Sequence, residues 1–254
     1  MQHLVLDGVG KRYGDVQAIG SVSLAVVPQE FMAVVGPSGC GKSTLLQIAA
    51  GLIQASTGGV TLDGAAVAAP PPSVVYLFQQ YSRSLLPWRT VLANVMFAIE
   101  HRALSRAEVR DRAMHHIIGV GLEKFAQKYP WQLSGGMQQR VAIARALTAE
   151  PRVLMMDEPF SSVDALTRLD LQALIQEIWL AQKMTVLLVT HDVDEAVYLA
   201  DRIAVLTRRP STVAELVAVG LDRPRDAIAT RELPRFLELR HHLLATLLRR
   251  HDAA

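Results

Sequence analysis

A glycine-rich segment, GPSGCGKS at Gly36–Ser43, has the residue types and spacing of a phosphate-binding loop. It follows the apolar run FMAVV and precedes the helical run TLLQIAAGL. Glycines let backbone N–H groups curve around phosphate oxygens, and the N-terminus of the following helix favours the anion. We therefore expect Lys42 on the β- and γ-phosphates of a nucleotide and the Ser43 hydroxyl on magnesium. The residues expected to contact the nucleotide here are Gly36, Pro37, Ser38, Gly39, Cys40, Gly41, Lys42, Ser43 and Thr44.

Three further side chains with suitable chemistry follow two other apolar runs. The run VLMM ends in Asp157 and Glu158, and the run MTVLLV leads through a threonine to His191. Asp157 could hold magnesium through water, and Glu158 stands where a water could be activated for attack. Ligands of open α/β sheets bind at the carboxyl ends of the strands, so these residues are expected to meet at the phosphate loop.

The bulk composition excludes several classes of protein. The chain has 254 residues, of which 50% are hydrophobic and 20% charged, as in globular domains. The formal net charge is only +2, so charge does not suggest a nucleic-acid partner. The single cysteine, Cys40, cannot form an internal disulfide and is interpreted as a filler of a free loop position. No apolar run approaches the roughly 20 residues that span a bilayer, so we expect a soluble chain whose membrane role would come through a partner.

The order of elements predicts an α/β unit with a helical insertion. Strand patterns occupy residues 4 to about 35, helical patterns run from Thr90 to about Leu147, and strand–helix alternation then returns. The first predicted helix of the insertion is TVLANVMFAIEHR. A terminal helix places Phe236, Leu243 and Leu247 on one face, which we expect to pack on its own domain. The leucines beside that face are Leu237, Leu244 and Leu248.

A second small anion-binding helix start is formed by Ser134, Gly135 and Gly136 in LSGGMQQR, far in sequence from the first. One γ-phosphate does not obviously need two such sites from one chain. This segment resembles the signature motif of the ATP-binding subunits of ABC transporters, and its place between Gln79 and VLMMDEP is theirs too. The resemblance implies that two copies pair head to tail, each ATP lying between the phosphate loop of one copy and the signature helix of the other.

The resemblance also implies roles for single residues. Tyr13 in KRYG would stack on adenine, and Gln79 would contact magnesium and the attacking water. Glu158 would be the catalytic base, with His191 touching the γ-phosphate and Lys42 completing the catalytic set. The segment FSSVDA, with Ser162 and Asp164, would cross the dimer interface. Met137 and Val163 stand where the family more commonly has glutamine and leucine. Neighbouring residues make the contacts at both positions, so the implied roles are unchanged.

The fold implied by this resemblance is a P-loop NTPase of the RecA-like type, with an antiparallel β subdomain and an inserted α-helical subdomain. The whole chain, 1–254, would be a single ABC ATP-binding domain. Its α/β core with the β subdomain would comprise about 1–85 and 150–220, its helical subdomain about 86–149, and a C-terminal helical extension about 221–254.

Leu85, Leu86, Pro87 and Trp88 form an apolar patch in a predicted loop. QQYSRSLLPWRTVLANV is similar to importers of nitrate, sulfonates, taurine and related small organic ions, in which this segment contacts a membrane-spanning permease subunit. The resemblance implies a place on the cytoplasmic side of the inner membrane and an indirect partnership with an extracytoplasmic solute-binding protein. The segment TRRPST departs from the expected Ser-Pro-Arg-Pro-Gly pattern. Trp88 could instead be an ordinary core aromatic of the helical subdomain.

Two other functions remain open at the level of sequence. A soluble ABC ATPase without a channel, such as an iron–sulfur assembly ATPase, is also a single domain and is the strongest competitor. Translation-type relatives carry two such domains and DNA-repair types carry long heptad repeats, neither of which is visible here. A P-loop kinase or GTPase would use the phosphate loop but has no use for LSGGMQQR.

Overall fold

The computed structural model of the chain describes residues 3–80 and 84–252, and in them the strands form one sheet of ten. Its strand order is β5-β4-β1-β2-β10-β9-β3-β8-β7-β6. The strands are β1 (Leu4–Tyr13), β2 (Val16–Val26), β3 (Phe31–Val35), β4 (Thr57–Leu62), β5 (Ala65–Ala66), β6 (Val74–Leu77), β7 (Val153–Asp157), β8 (Thr185–Val189), β9 (Arg202–Leu206) and β10 (Ser211–Ala218). The described residues contain no helix long and apolar enough to cross a membrane.

The half of the sheet from β9 to β6 is parallel. Every residue of β3, β7 and β8 is buried, because the sequences FMAVV, VLMMD and TVLLV offer apolar side chains to both faces of the sheet. The carboxyl ends of these strands share one edge, which brings the segments after β3, β6, β7 and β8 together. The sheet therefore gathers the phosphate loop, Gln79, the Asp157–Glu158 pair and His191, as the sequence predicted.

The other half of the sheet, β1, β2, β4 and β5, pairs antiparallel. The sequence GGVTLDG forms a hairpin, since β4 and β5 are joined through Asp63 and Gly64 at positive φ. A separate apolar core lies between this half and the parallel strands, and Leu45 and Leu46 of the first helix contribute to it. The α/β class with an antiparallel part and a helical insertion is confirmed.

The helices are α1 (Lys42–Ala49), α2 (Val91–Met96), α3 (Arg106–Gly119), α4 (Gly135–Thr148), α5 (Ala165–Gln182), α6 (Val193–Leu199), α7 (Ala229–Glu232) and α8 (Pro234–Asp252). The helix predicted over TVLANVMFAIEHR is too long, because α2 ends at Met96. Beyond it the backbone N–H groups of Ile99 and Arg102 bond three residues back, in turns rather than in an α-helix. The predicted length was based on the apolar pattern, which continues beyond Met96. The chain there forms turns with their own hydrogen bonds, so the helix ends earlier.

The terminal helix α8 packs on the domain, as predicted. Phe236 and Leu243 are buried in the main core, Leu247 packs against it, and Leu239 joins them. The stripe that includes Leu237 and the two later leucines, Leu244 and Leu248, is exposed. The prediction for this helix is therefore confirmed on the face that was named.

Candidate active site

The phosphate loop joins β3 to α1 under tight steric limits. Gly39 and Gly41 have φ values of 72° and 106°, a region that glycine enters at little cost. A Cβ on Gly36 would lie 3.0 Å from Cys40 Sγ and 3.1 Å from Leu206 Cβ, so glycine is needed there for close approach. Gly41 caps α1 without a side-chain hydrogen bond, which leaves the first N–H groups of the helix to an anion.

Lys42 lies at the centre of this loop. Its Nζ donates to the carbonyl oxygens of Gly36, at 2.9 Å, and of Pro37, at 3.0 Å. The side chain is buried, so its charge acts in a medium that screens it less than water does. The loop therefore presents a cation among backbone amides, an arrangement that fits a polyphosphate.

Asp157 is held by two hydroxyl groups. Ser43 Oγ donates to Asp157 Oδ1 at 2.8 Å, and Tyr76 OH donates to Oδ2 at 2.9 Å. Burial raises the pKa of Asp157, while these two hydrogen bonds act in the opposite direction. Burial, with the nearby Asp157 charge, also raises the pKa of Tyr76, which keeps its proton as a donor. A hydroxyl and a carboxylate oxygen side by side are ligands that magnesium accepts, so the pair fits that ion.

Tyr76 was missed by sequence reasoning. Strand β6 pairs with β7, with Tyr76 opposite Met155, and this register carries the phenol to the end of β7. The apolar and aromatic composition of SVVYLFQ predicted the strand, but not which strand would be its neighbour. A prediction of the strand order would have been the only route to this residue.

Glu158 joins Gln79 and His191 in one hydrogen-bonded cluster. Gln79 Nε2 donates to Glu158 Oε2 at 3.2 Å, and His191 Nδ1 lies 3.0 Å from the same oxygen. Glu158 has a φ of 44°, and its backbone N–H donates to the carbonyl of Val189 at 2.8 Å. A non-glycine residue in the left-handed region is unusual, and here the end of β8 holds it. Three separate strand ends thus converge on one carboxylate.

A cavity of about 500 Å³ lies over the phosphate loop. Its lining includes Lys42, Ser43, Glu158 and His191, whereas Gln79 and Asp157 adjoin these residues through hydrogen bonds and do not line the cavity. Arg209 also lines this cavity and was not predicted. The segment TRRPST was interpreted only as a departure from an expected pattern, and the pairing of β9 with β3 brings it to the phosphate loop.

The signature residues do not line this cavity. Ser134 is exposed and caps α4 by accepting a hydrogen bond from the backbone N–H of Met137 at 3.3 Å. A Cβ on Gly136 would lie 2.5 Å from Thr167 Cγ2, so glycine allows α4 to approach the first turn of α5. That turn is capped by Asp164, whose side chain accepts from the Thr167 backbone N–H at 3.1 Å. The structure therefore joins the signature to the FSSVDA segment and keeps both apart from the phosphate cavity of their own chain.

Tyr13, the predicted adenine contact, ends strand β1 and is half exposed. Lys11 Nζ lies 5.0 Å from the centre of its ring. The ring is not part of the phosphate cavity lining, and its adenine contact stays a prediction.

A polar cluster around the buried Glu195 supports the segment that carries His191, and no sequence pattern predicted it. Thr190 Oγ1 donates to Glu195 Oε2 at 2.6 Å, and burial raises the pKa of Glu195 to about 7. Arg168 Nε lies 3.9 Å from Glu195 Oε1, and Arg168 Nη1 lies 3.4 Å from Asp192 Oδ2. Burial of a charged side chain inside a helical pattern has no local sequence signal, which is why this cluster was missed.

Comparison with known proteins gives a family and named relatives. The family model described as ABC transporter matches residues 19–161, more than half of the chain. The nitrate import ATP-binding protein NrtD of Synechococcus elongatus is 45% identical over 98% of this chain and 93% of its own length. The bicarbonate transport ATP-binding protein CmpD of Synechocystis is 41% identical over 98% of this chain and 91% of its own length.

A solved structure extends the likeness to three dimensions. The dimeric structure of MJ0796, a bacterial ABC transporter cassette, matches with a TM-score of 0.76 and 33% identity, over 86% of this chain and all of that one. The phosphate loop, the acidic pair, the histidine and the signature helix thus lie on a fold that the family shares. The chain belongs to the ABC transporter family, as one of its ATP-binding, ATP-hydrolysing subunits.

Proposed function

We propose that the chain is the energy-coupling subunit of an ABC importer, for nitrate, sulfonate, taurine or a related small ion. The observation that carries this is an apolar groove of about 600 Å³, directly behind the strand that leads to Gln79. It is lined on one side by Tyr76 and Phe78 and on the other by Phe97 and Ala146 of the helical region. Such a groove suits an amphipathic helix of a membrane-spanning partner. NrtD and CmpD, named for nitrate import and bicarbonate transport, support the class of solute.

ATP would bind through the phosphate loop, with Lys42 on its β- and γ-phosphates and Tyr13 against adenine. Ser43, Asp157 and Gln79 would hold magnesium, which when bound neutralises charge on the phosphate oxygens. The 2.8 Å bond between Ser43 Oγ and Asp157 Oδ1 supports this assignment, since two of those oxygens already adjoin.

For hydrolysis, Glu158 would accept a proton from the attacking water. Its Oε2 is the shared partner of Gln79 and His191, so both side chains fix where the carboxylate points. His191 would contact the γ-phosphate and Gln79 would orient the water. A positioned base of this kind contributes roughly 10²- to 10⁴-fold to the rate.

The second copy would complete the site head to tail. Ser134, Gly135 and Gly136 would reach the γ-phosphate bound by the partner, because none of them lines the cavity of its own chain and the first two are exposed. ATP would then join two copies, and hydrolysis would release them. The dimeric cassette of MJ0796 supports pairing as the working state.

The apolar patch after Gln79 divides into an inner and an outer part. Leu85 is buried in the main core and Leu86 is partly buried, whereas Trp88 is 71% exposed. The interpretation of Trp88 as a core aromatic is therefore wrong, because most of this side chain is exposed. Leu85 supports the segment from within, so the partner contact that we predicted near it is left to Leu86 and Trp88. Residues 81–83, which precede this patch, lie outside the described residues.

Asn94 fixes the backbone of this segment. Its Oδ1 accepts from the Leu86 N–H at 2.8 Å, and its Nδ2 donates to the carbonyls of Leu86 and Arg89 at 3.0 Å each. Arg89 in turn lies 5.0 Å from the Phe97 ring, on the groove wall. Movement of Trp88 would therefore reach Arg89 and the groove wall. Because Tyr76 lines the same groove and donates to Asp157, this supports coupling between a permease and the ATP site.

Co-purification tests the importer against a soluble ABC ATPase such as one of iron–sulfur assembly. The tagged chain should be recovered from detergent-solubilised membranes together with membrane-spanning subunits, on the cytoplasmic side, and an extracytoplasmic binding protein should stimulate its ATPase in that complex. Recovery of the chain from the soluble fraction alone, with iron–sulfur assembly proteins and no membrane protein, would contradict the proposal.

A further inference from the structure

Arg209 lies at the phosphate cavity, and its guanidinium has no partner among the residues that the structure describes. It lines the same space as Lys42, Glu158 and His191, and its Nη2 would lie 3.8 Å from a Cβ built on Gly39. The side chain is exposed, and no residue from 3–80 or 84–252 gives it a hydrogen bond or an ion pair. An unpaired guanidinium facing a phosphate loop is a ready donor, since its planar fork matches two phosphate oxygens.

The loop that carries Arg209 is fixed relative to the phosphate loop. At one end, the Leu206 side chain and carbonyl would lie 3.1 and 3.3 Å from a Cβ on Gly36, so these two backbones touch. At the other end, Ser211 is fully buried and its Oγ would lie 3.7 Å from a Cβ on Gly41. The β9–β10 hairpin therefore packs against the phosphate loop near both ends of that loop.

Hydrogen bonds close the hairpin itself. Thr207 N–H donates to the carbonyl of Thr212 at 3.0 Å, and Thr212 N–H donates to Thr207 Oγ1 at 2.9 Å. Pro210 lies against Gly20, where a Cβ would meet it at 3.4 Å. The backbone on both sides of Arg209 is thus packed or bonded, and only its side chain is free to adjust to a ligand.

The neighbouring Arg208 occupies a different place. Both arginines line an outer cavity of about 470 Å³ beside Pro37 and Cys40, but the inner cavity with Glu158 and His191 is lined by Arg209 and not by Arg208. Glu158 and His191 mark the end of the cavity at which the terminal phosphate would react. The two arginines therefore provide a test residue and a matched control.

We propose that Arg209 binds the terminal phosphate of ATP within its own chain, as a second cation beside Lys42. The proposal rests on ATP binding by this family and is independent of the importer role. It predicts discrimination between ATP and ADP, because ADP lacks the phosphate that the guanidinium would contact. A charge-assisted hydrogen bond to such a group corresponds to about tenfold in affinity.

The test compares ATP and ADP binding to monomeric protein in EDTA, where hydrolysis is suppressed, for Arg209→Gln, Arg209→Lys and Arg208→Gln. Arg209→Gln should weaken ATP about tenfold and ADP less than about twofold. Arg209→Lys, which keeps the charge and loses the fork, should fall between it and the wild type. Arg208→Gln should leave both affinities within about twofold, and thermal unfolding should show that all three variants are folded.

Three results would overturn the proposal. Unchanged ATP affinity in Arg209→Gln would show that Arg209 lies at the rim of the cavity without binding the nucleotide. Equal losses for ATP and ADP, or an equal loss in Arg208→Gln, would indicate general attraction of polyphosphate. Normal ATP binding by the monomer with loss of ATP-driven dimerisation would assign Arg209 to the partner copy instead. Should Arg209→Gln fail to fold, equal ATP affinity in Arg209→Lys and the wild type would count against the fork.

Discussion

The carboxylate of Glu158 is oriented by a histidine, a glutamine and its own strained backbone, and each comes from a different strand end. A carboxylate oxygen that accepts from Gln79 and adjoins the His191 ring keeps its remaining lone pairs in fixed directions. A carboxylate fixed in this way is suited to activating a water molecule. A conservative substitution of Glu158 should therefore remove the acceptor for the proton of that water.

Glu158→Gln should keep ATP binding and lower steady-state turnover by roughly 10²- to 10⁴-fold, because an amide cannot take up the proton of the attacking water. The variant should accumulate as an ATP-bound dimer, measured by size-exclusion chromatography with and without ATP. Glu177→Gln, on the exposed side of α5, is the matched control and should turn over as the wild type does. Turnover near the wild-type rate in Glu158→Gln would remove Glu158 from the catalytic role.

Glu195 provides a pH dependence. The raised pKa of about 7 means that the folded state binds more protons than the unfolded state between about pH 4.5 and 7, so the free energy of unfolding falls as pH rises through that window. Glu195→Gln removes this titration but keeps an acceptor for Thr190. The stability of the variant relative to the wild type should therefore increase from pH 5 to pH 8.

Urea denaturation midpoints at the two pH values measure this difference. Glu177→Gln, the same substitution on an exposed helix position, is the matched control. A constant offset between Glu195→Gln and the wild type would mean that the Arg168 cation holds Glu195 ionised in the folded protein at both pH values.

At this scale the sequence predicted the residues that belong to short motifs with their own local geometry. Asp157 ends an apolar strand, Glu158 follows it directly, and Lys42 and Ser43 belong to the phosphate loop that follows another strand, so their positions follow from the strands and the motif. Tyr76 and Arg209 were missed because their approach depends on which strands are neighbours. That information is held by long-range pairing and not by any local pattern.

At the scale of elements, the contact between α4 and α5 depends on a glycine. Gly136 lies against Thr167, so the signature helix and the FSSVDA segment are positioned together. Any movement of α4 would carry the cap residue Ser134 and the first turn of α5 with it. The two segments that are proposed to face the partner copy thus form one surface.

Ser134→Arg should leave ATP binding to the monomer largely intact and abolish ATP-driven dimerisation. The larger cation would occupy the partner's γ-phosphate position, while Lys42 and the phosphate loop are unchanged. Nucleotide titration of the monomer and sedimentation with ATP measure the two effects. Ser105→Ala is the control, because it removes the N-cap of α3, at a cost of about 1 kcal/mol, without touching the signature. Equal loss of ATP affinity in the Ser134→Arg monomer would place the signature within its own site.

Element boundaries were predicted less well than element types. The apolar pattern through FAIEHR continued past Met96, and the chain there forms turns. Helix α8 was predicted correctly because its apolar face repeats over several turns, which gives the pattern enough length to be specific. Short segments lack that length, and tertiary contacts decide them.

At the scale of the whole molecule, the ATP site and the apolar groove are joined through β6 and the segment that follows it. Tyr76 touches both, since its hydroxyl donates to Asp157 and its residue lines the groove. A partner helix in the groove would therefore lie one side chain away from the proposed magnesium ligands. The importer assignment depends on this connection.

Replacing Leu86 and Trp88 together with Ala should weaken assembly with the membrane subunits and uncouple transport, while the isolated chain still binds ATP. Apolar anchors of this type cost about 2 kcal/mol or more when truncated in an interface. Co-purification and reconstituted transport measure the effect. Trp131→Ala removes a tryptophan of similar exposure, 70%, away from the groove and should assemble normally. Leu86 and Trp88 adjoin the groove through Arg89 and do not line it, so unfolding of the double variant, or loss of ATP binding in isolation, would contradict their role in the partner contact.

The C-terminal extension has a consequence for how the chain can be shortened. Arg225 donates to the carbonyls of Val197, Tyr198 and Ala200, which end α6, and Phe236 and Leu243 fill the core behind it. Cutting the chain after residue 221 would expose those carbonyls to water and would also expose a contiguous apolar surface. Such a fragment would retain every phosphate-loop residue and still self-associate into aggregates. The residues after 221 thus complete the hydrophobic core of the domain that precedes them.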